Sequence, residues 1–457
     1  MLREVFDRLG LSRLLASVLV DDRDPEWITY PLPELIRTMV LLLCQGYRDL
    51  DDADALREEP AFRLAVSQRK GLSPLKVSEL QPGVEPDRNP LAPEHLASQP
   101  TMSRTMSLLS WTTNRAGLRT VLFKCAARRF RTMRGGRRAE KLTVDLDSLP
   151  VYVSGHQPEA AYNGHYGATV YHPLVASIAE TGDLLDLDLR RGNCHTAEGG
   201  MEFLLPLLDK VERAMCCKAA VRVDAGFPHE SFLAPLENRG TRYTARVRNN
   251  AVLNRLAEPH LNRPPGRRPQ EPRAWFHEYT YKAEEWSCAR RAVLVVLERE
   301  DDLFLHHFWL ITNRNIDEMD APTLLEEYRQ RGTAEGHQGE LMNVLAPLLS
   351  STVRPKASYA GHPIVCESPS VDAFAVNEAR LLMNALAYNV MHAARTLTEL
   401  ATGEGWGLAH FRERVLKVAA RILLHGRRAT FVVNREVAPL WRSIWRRISR
   451  LEWQPAG

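Results

Sequence analysis

The sequence predicts an α/β fold in which a mixed sheet is flanked by helices. From residue 141 onward, apolar and polar residues alternate with the period of a strand. The segments that follow give three strands, a helix, a strand and a second helix, an order typical of strands and helices that share one core. Segments with helical spacing lie on both sides of this stretch. At 457 residues, the chain is long enough for two or three domains.

Residues 1–135 are predicted to form a helical N-terminal domain. Apolar residues recur at helical spacing in "LPELIRTMVLLLCQGYRD", and "DDADALREEPAF" offers acidic caps before a short helix. Five prolines in 81–100 predict a loop. A further helix over 101–133 completes this domain.

Residues 136–240 and 314–400 are predicted to form the α/β core. "LTVDLDSLPVYV" begins the sheet, and "YHPLVASIAETGDLLDLDLRRGN" predicts a hairpin. The helix "EGGMEFLLPLLDKVERAM", the buried strand "AAVRVDAGF" and a helix ending at Gly240 follow. Helices resume over 322–345 and 371–396.

Two further segments complete the predicted architecture. Residues 241–313 contain four plausible strands split by the loop "RPPGRRPQEPR", which predicts a β-rich insertion subdomain. Residues 401–457 are predicted as a basic helical C-terminal segment, because "PLWRSIWRRISRL" places apolar residues on one helical face and arginines on the other.

The charge distribution favours a polyanionic partner. The chain carries a net charge of +4, but residues 401–457 contain eleven Lys or Arg against four Asp or Glu. A second basic stretch, "RRFRTMRGGRR", covers 128–138. Such clusters are compatible with nucleic acid, although most charge runs are simply solvated. No apolar run approaches the roughly 20 residues of a membrane span. The absence of a signal-peptide pattern and of CxxC pairs among the seven cysteines predicts a cytoplasmic protein.

Acidic residues at predicted strand ends are candidates for a metal site. Asp145 and Asp147 share one face of the first strand, and Asp224 ends another strand. If these strands are adjacent, Asp147 and Asp224 emerge at the same edge of the sheet. A third acid, Glu335, belongs to the predicted 322–345 helix. Oxygen ligands select hard cations such as Mg²⁺ or Mn²⁺, and two such ions can clamp a phosphoryl displacement.

Spacing alone leaves other interpretations open. An Asp at a strand end is more often a turn or capping residue than a ligand. The stretch "LLDLDLR" repeats the same alternation with Asp186 and Asp188, which we expect on the solvated face of an edge strand. On the 322–345 helix, Tyr328, Arg331 and Glu335 share one face, and this pattern is common on ordinary helix surfaces.

The sequence resembles the DDE transposases of bacterial insertion sequences, and in particular the insertion-sequence-1380 group in the class with a Tyr-Arg-Glu-Lys signature. The resemblance runs over nearly the whole chain. It is carried by the order of nine stretches: "GYRDLDDADALREEPAF", "LASQPTMSR", "VDLDSLP", "YNGHYG", "YHPLVASIAETGDLL", "RRGNCHT", "VRVDAGF", "YRQRGTAE" and "LLMNALAYNV".

The resemblance implies a ribonuclease-H-like core whose acids hold two Mg²⁺ ions, for which Mn²⁺ can substitute. These acids fall on Asp147, Asp224 and Glu335. Asp147 is preferred to Asp145 because the family residue lies in an Asp-x-Thr context. Here that context is Asp147-Ser148-Leu149, without the threonine, so Asp145 stays open as a possible further ligand.

The signature implies two supporting residues and one departure. Tyr328 and Arg331 match in register with Glu335, and are expected to support that acid and the DNA. The signature lysine, which contacts DNA phosphate, is replaced by Met342. Lys356 or a nearby arginine could take its place.

The resemblance also implies that the β-rich insertion grips the transposon end through an aromatic residue stacked on a flipped base. Trp275, Trp286 and Trp309 are the candidates, with Trp286 chosen as the expected DNA contact. A tryptophan in a β subdomain is more often part of a core.

The expected function is cut-and-paste transposition in the bacterial cytoplasm, associated with the nucleoid. The partners implied are terminal inverted repeats, bound by the helical N-terminal domain and the basic segments, and target DNA. Synapsis of two ends implies a homodimer. The alternative is a relative that binds DNA but cuts it weakly or not at all, which Met342 makes plausible. A glycosidase with paired carboxylates would leave the basic tail unexplained.

Overall fold

The computed structural model describes residues 1–67, 95–135, 137, 141–263, 271–299, 304–351, 358–359, 362–363, 372–425 and 428–451. The chain divides into two compact units. The first unit comprises Met1–Met133, Val151–Tyr171 and Gln338–Ala456, and the second comprises Arg134–Pro150 and His172–His337. In the described residues, no helix is long and apolar enough to cross a bilayer.

The helices and strands are numbered in chain order. Up to the middle of the chain they are α1 (Leu2–Arg8), α2 (Leu11–Val18), α3 (Leu32–Gln45), α4 (Asp52–Leu56), α5 (Pro60–Val66), α6 (Gln99–Leu109), α7 (Thr112–Met133), β1 (Leu142–Ser148), β2 (Val151–Tyr152), β3 (Ala161–Asn163), β4 (Ala168–Tyr171), β5 (Leu174–Ile178), β6 (Leu184–Asp188), α8 (Gly200–Met215), β7 (Ala219–Val223) and α9 (Glu230–Arg239). The remainder are β8 (Arg242–Val247), α10 (Ala251–Ala257), β9 (Arg273–Tyr281), β10 (Arg290–Glu298), β11 (His306–Thr312), α11 (Ala321–Arg329), α12 (Arg331–Glu340), β12 (Ser358–Tyr359), β13 (His362–Pro363), α13 (Ala373–Thr402), α14 (Leu408–Phe411), β14 (Ala420–His425), β15 (Arg428–Val433) and α15 (Ala438–Ser449).

The second unit is built on a mixed sheet of eight strands, in the order β6-β5-β1-β7-β8-β11-β10-β9. β1, β7 and β8 run parallel to one another, whereas the other neighbouring pairs are antiparallel. The predicted mixed sheet flanked by helices is therefore confirmed. β1 and β7 are buried along their whole length, as expected for parallel strands covered on both faces.

The strands predicted for the insertion do not form a sheet of their own. β8, β9, β10 and β11 continue the sheet that β1 and β7 begin. β8 pairs in parallel with β7, and its other edge accepts β11. The valines, leucine and alanine at the centre of β10 are fully buried, so this part of the chain shares the sheet's core.

The helix predicted over 322–345 is divided. α11 ends at Arg329, α12 begins at Arg331, and a π-helical turn covers Leu341–Leu345. Gln330 between them keeps helical backbone angles, so the two helices follow each other closely. The division has a local cause, since α12 contains three glycines, which disfavour a long regular helix.

The first unit is mainly helical. Helices occupy most of the described N-terminal residues, while the loop predicted over 81–100 lies largely outside the described residues. The long helix α13 is buried over most of its surface. A small sheet adds β2, β4 and β3.

The C-terminal segment is only partly helical, contrary to expectation. α15 forms as predicted, with Ile444 and Ile448 buried. Between α14 and α15, however, β14 and β15 pair as an antiparallel hairpin. The apolar and β-branched residues of "RILLH" and "ATFVV" favour strands over helix at these positions.

Candidate active site

Asp147 and Asp224 lie at the same edge of the sheet. β1 and β7 are parallel neighbours, and Leu146 is in register with Val223. Asp147 follows Leu146 near the end of β1, and Asp224 follows Val223 directly after β7. The structure therefore brings together the carboxyl ends of the two strands that carry these acids, as the sequence predicted.

Arg331 joins Asp147 to Glu335. Arg331 is the first residue of α12, and its Nη2 donates to Asp147 Oδ2. Its Nη1 donates to Glu335 Oε1 one helical turn later. The guanidinium is thus bound by one carboxylate from the sheet and one from the helix. We call Asp147, Arg331 and Glu335 the strand-end group.

The acids at this edge affect one another electrostatically. Burial is the main cause that raises the pKa of Asp147 to about 7, and the negative charges of Asp224 and Glu335 raise it further. Arg331 and the backbone N–H of Ser148 act in the opposite direction. The ion pair with Arg331 therefore does not offset the effect of burial on the pKa of Asp147.

Tyr328 lies in the same electrostatic environment. Burial raises the pKa of its phenol, Arg331 and Arg246 oppose the shift, and Asp224 and Glu335 add to it. Its ring packs near Phe308, with the centroids 6.4 Å apart. The structure therefore places all three predicted acids and both signature residues within electrostatic reach of one another.

Asp145 is occupied by a different partner. Nε and Nη2 of Arg222 donate to its two carboxylate oxygens at 2.6 and 2.7 Å. The two residues face each other across the β1–β7 ladder, and both are almost completely buried. Burial raises the pKa of Asp145, while Arg222 lowers it. We call these two residues the Asp145–Arg222 pair.

Glu327 of α11 extends this buried ionic layer. Its Oε1 accepts hydrogen bonds from Thr244 and from Arg314, each at 2.8 Å, and its Oε2 pairs with Lys141. Arg222 also donates to the backbone oxygen of Glu327. Although burial opposes it, these cations lower the pKa of Glu327. α11 is thereby fixed to the sheet just before the residues of the signature.

The donor chemistry of the three acids fits a hard divalent cation. Carboxylate oxygens are the ligands that Mg²⁺ and Mn²⁺ prefer. Within the described residues, however, no group of three or more His, Cys, Asp or Glu side chains is placed ready to hold a metal ion. Arg331 provides the cation that Asp147 and Glu335 share here.

The three candidate tryptophans differ in exposure. Trp309 is fully buried, and Trp286 is 4% exposed, with Arg290 at 4.8 Å over its ring and Tyr281 against it. Neither presents a free face for a base in this structure. Trp275, on the edge strand β9, is partly exposed.

The other residues singled out in the sequence have clear positions. Asp186 lies on the edge strand β6, but it is buried, so the expectation of a solvated face was wrong for it. Its Oδ1 accepts a hydrogen bond from the N–H of Leu187 at 2.8 Å. Met342 lies in the π-helical turn. Lys356, the possible substitute for the missing lysine, is outside the described residues.

Comparison with known proteins identifies the family. A family model described as "Transposase DDE domain group 1" matches residues 1–345. The chain belongs to this family. A solved structure titled as a cryo-EM structure of a piggyBac transposase synaptic complex with hairpin DNA is similar to it. The sequence identity is 11%, the TM-score 0.36, and the match covers 90% of this chain and 78% of the other. No curated protein gives a significant match.

Two structural contacts near the candidate site of this DDE transposase were not predicted from its sequence. Arg222 carries a detectable signal, because a charged residue inside the buried strand "VRV" requires a partner. The second contact is between α12 and the β5–β6 turn. A Cβ on Gly182 would lie 2.5 Å from the ring of His337, and Gly182 has a positive φ of 73°. No local pattern in the sequence indicates that approach.

Proposed function

We propose that this DDE transposase cuts DNA at the ends of a bacterial insertion sequence and joins those ends to new DNA, using Asp147, Asp224 and Glu335. One observation carries the proposal. Arg331 forms ion pairs with Asp147 of the sheet and with Glu335 of the helix, and Asp224 follows the strand beside that of Asp147 at the same edge. Acids gathered at one sheet edge with incompletely balanced charge are typical of a functional site.

The topology supports the same assignment. The strand order β6-β5-β1-β7-β8, with β7 and β8 parallel to β1, agrees with the ribonuclease-H-like core that the family resemblance implies. In sheets of this kind, ligands bind beyond the carboxyl ends of the parallel strands. Asp147 and Asp224 stand at those ends.

The proposed reaction needs no covalent link between protein and DNA. Water attacks a phosphodiester at the element end, the bond to the 3′ oxygen breaks, and a 3′-OH is released. That hydroxyl then attacks a second phosphodiester and displaces its 3′ oxygen. Divalent metal ions held by the three carboxylates would activate the attacking oxygen and stabilise the leaving one.

The side chains around the acids have distinct proposed roles. Arg331 orients Asp147 and Glu335 through its two ion pairs. Tyr328 and Arg331 are assigned the roles of supporting Glu335 and contacting DNA. The buried layer formed by the Asp145–Arg222 pair and Glu327 holds β1, β7 and α11 in position. Asp145 is therefore assigned a positioning role instead of metal binding.

The test is cleavage of duplexes that carry the inverted repeats flanking the coding sequence, with Mg²⁺ or Mn²⁺ and with EDTA. The proposal predicts metal-dependent nicking at the ends, lost in Asp147→Asn, Asp224→Asn and Glu335→Gln. Glu326→Gln is the matched control, because Glu326 is an exposed carboxylate of α11 outside the proposed site.

Two results would contradict the proposal. Cleavage that survives all three substitutions would place the active site elsewhere. A wild-type protein that binds the ends but never cuts them would favour the alternative of a DNA-binding relative. Met342→Lys would then test whether the missing signature lysine is the reason.

A further inference from the structure

The β14–β15 hairpin has two different faces. Residues opposite each other in an antiparallel ladder share a face, and successive residues alternate. The register pairs Arg421 with Val432, Leu423 with Thr430, and His425 with Arg428. These positions form one face, and every basic residue of the two strands belongs to it. The other face consists of apolar positions only, namely Ala420, Ile422, Leu424, Ala429, Phe431 and Val433.

The hairpin stands largely in solvent. Leu423, Phe431 and Val432 are 43%, 43% and 47% exposed, and Arg421, His425 and Thr430 are also exposed. A two-stranded hairpin is marginally stable in water when it lacks packing on a larger surface. Exposure on both faces therefore suggests that the hairpin meets a partner.

The described arginines in and beside this hairpin lack acidic partners. No Asp or Glu occurs between Lys417 and Arg435 in the sequence. In the part of the chain that the structure describes, Arg421 and Arg435 form no ion pair. Elsewhere arginines are neutralised in close pairs, as Arg222 and Arg290 are. Arg421 and Arg435 thus keep their positive charge free for a polyanion.

We propose that the β14–β15 hairpin binds duplex DNA as a two-stranded ribbon, with the face that carries Arg421 and His425 turned to the DNA. The inference rests on the proposed function and assigns one DNA-contacting element within it. The major groove of B-DNA admits a two-stranded ribbon, and arginines on such a ribbon reach phosphates on its walls. A second copy of this chain fits this face less well, because a two-fold contact would set its positive charges against themselves.

The experiment measures the salt dependence of binding to a fluorescent duplex of mixed sequence, using the full chain in EDTA. Each arginine–phosphate contact contributes about 1 to the slope of log affinity against log salt concentration. Arg421→Gln with Arg428→Gln is expected to lower the magnitude of that slope by about 2. Lys210→Gln with Arg213→Gln is the matched control, because both residues are exposed on α8. Its slope should equal that of the wild type.

Hydrogen exchange locates the DNA contact, and circular dichroism checks that the double variant is folded. Backbone amides of β14 and β15 should exchange more slowly with solvent when DNA is bound in the wild type, and this protection should be absent in the double variant. Circular dichroism of the two proteins should agree.

The named results separate the two proposals. If wild type binds DNA and the double variant keeps the full slope, the hairpin assignment is overturned and the proposed function stands. The hairpin assignment also fails if the double variant changes the sedimentation coefficient without changing the slope, since the face would then contact protein. If wild type binds neither mixed-sequence DNA nor the element ends, the proposed function fails together with this inference.

Discussion

Asp145 and Asp147 lie two residues apart on one face of β1, yet their surroundings differ. The carboxylate of Asp145 meets a guanidinium fixed in the neighbouring strand, with two hydrogen bonds and almost no exposure. Asp147 lies beside Arg331, which it shares with Glu335 and which starts a helix. The two acids lie on the same face of one strand, yet Asp145 pairs with an arginine of the neighbouring strand and Asp147 pairs with an arginine of a helix.

The comparison shows how one strand can carry both an acid in a buried ion pair and an acid that we propose as a metal ligand. The Asp145–Arg222 pair is matched one charge to one, and its geometry is set by the ladder between β1 and β7. In the strand-end group, Asp147 and Glu335 share the single guanidinium of Arg331, and Asp224 adds a third carboxylate at the same edge of the sheet. Incompletely balanced charge leaves a place for a cationic ligand, whereas a matched buried pair does not.

The largest effect is expected from breaking the Asp145–Arg222 pair. Asp145→Asn leaves the Arg222 guanidinium buried without its counter-charge, which costs about 3–5 kcal/mol of unfolding free energy. Urea unfolding in EDTA measures the loss. Replacing both residues, Asp145→Leu with Arg222→Met, should recover most of it, because a buried ion pair can be exchanged for apolar packing. If Asp145→Asn changes the free energy of unfolding by no more than about 0.5 kcal/mol, as surface substitutions do, the structural role of Asp145 is contradicted.

Substitution of Asp147 is expected to increase the free energy of unfolding, in contrast to substitution of Asp145. In the folded chain its pKa is about 7 against an ordinary 3.8, mainly because it is buried. Between these values the folded state holds a proton that the unfolded state releases, so the free energy of unfolding falls as the pH rises. Asp147→Asn removes this dependence and should stabilise the metal-free protein by roughly 1–3 kcal/mol at pH 8.

Thermal unfolding of wild type and Asp147→Asn at pH 5 and pH 8 measures this difference. The stabilisation should be larger at pH 8 than at pH 5. If Asp147→Asn is less stable than wild type at both pH values, the charged carboxylate of Asp147 is stabilised by its ion pair, as that of Asp145 is.

A smaller effect is expected where α12 meets the β5–β6 turn. Gly182→Ala forces a methyl group against His337 and strains a positive φ. Gly240→Ala is the matched control, because Gly240 has the same φ of 73° with no atom near the added carbon. Both should lose about 1–2 kcal/mol from backbone strain.

The further loss in Gly182→Ala, about 1 kcal/mol by analogy with overpacking, would report the contact with the helix that carries Glu335. Equal thermal stability of the two variants would remove that contact from the account.

The sequence predicted the sheet, and the edge at which Asp147 and Asp224 meet, better than the helices around it. Alternation located β1 and β7, and their parallel pairing then placed Asp147 and Asp224 together. The alternation could not distinguish Asp147 from Asp145. Their difference depends on Arg222 and Arg331, which are far from β1 in the sequence. Family resemblance supplied that choice from the residues after Asp147.

The errors also have physical reasons. The β14–β15 hairpin was missed because its sequence is apolar and basic, as an amphipathic helix also is. β8–β11 were expected to form a separate subdomain over 241–313, since strand patterns do not show which sheet a strand joins. Asp186 was expected in solvent because an edge position does not reveal what covers its face.

The central claim is that Asp147, Asp224 and Glu335 hold the metal while Asp145 only supports them. The most direct measurement is titration of the protein with Mn²⁺, following the free ion by electron paramagnetic resonance. The account predicts that wild type and the Asp145→Leu, Arg222→Met double variant bind Mn²⁺ with similar affinity, whereas Asp147→Asn binds at least tenfold more weakly, on the order of 1.4 kcal/mol. Full binding by Asp147→Asn, together with loss in the double variant, would contradict it and make Asp145 the ligand.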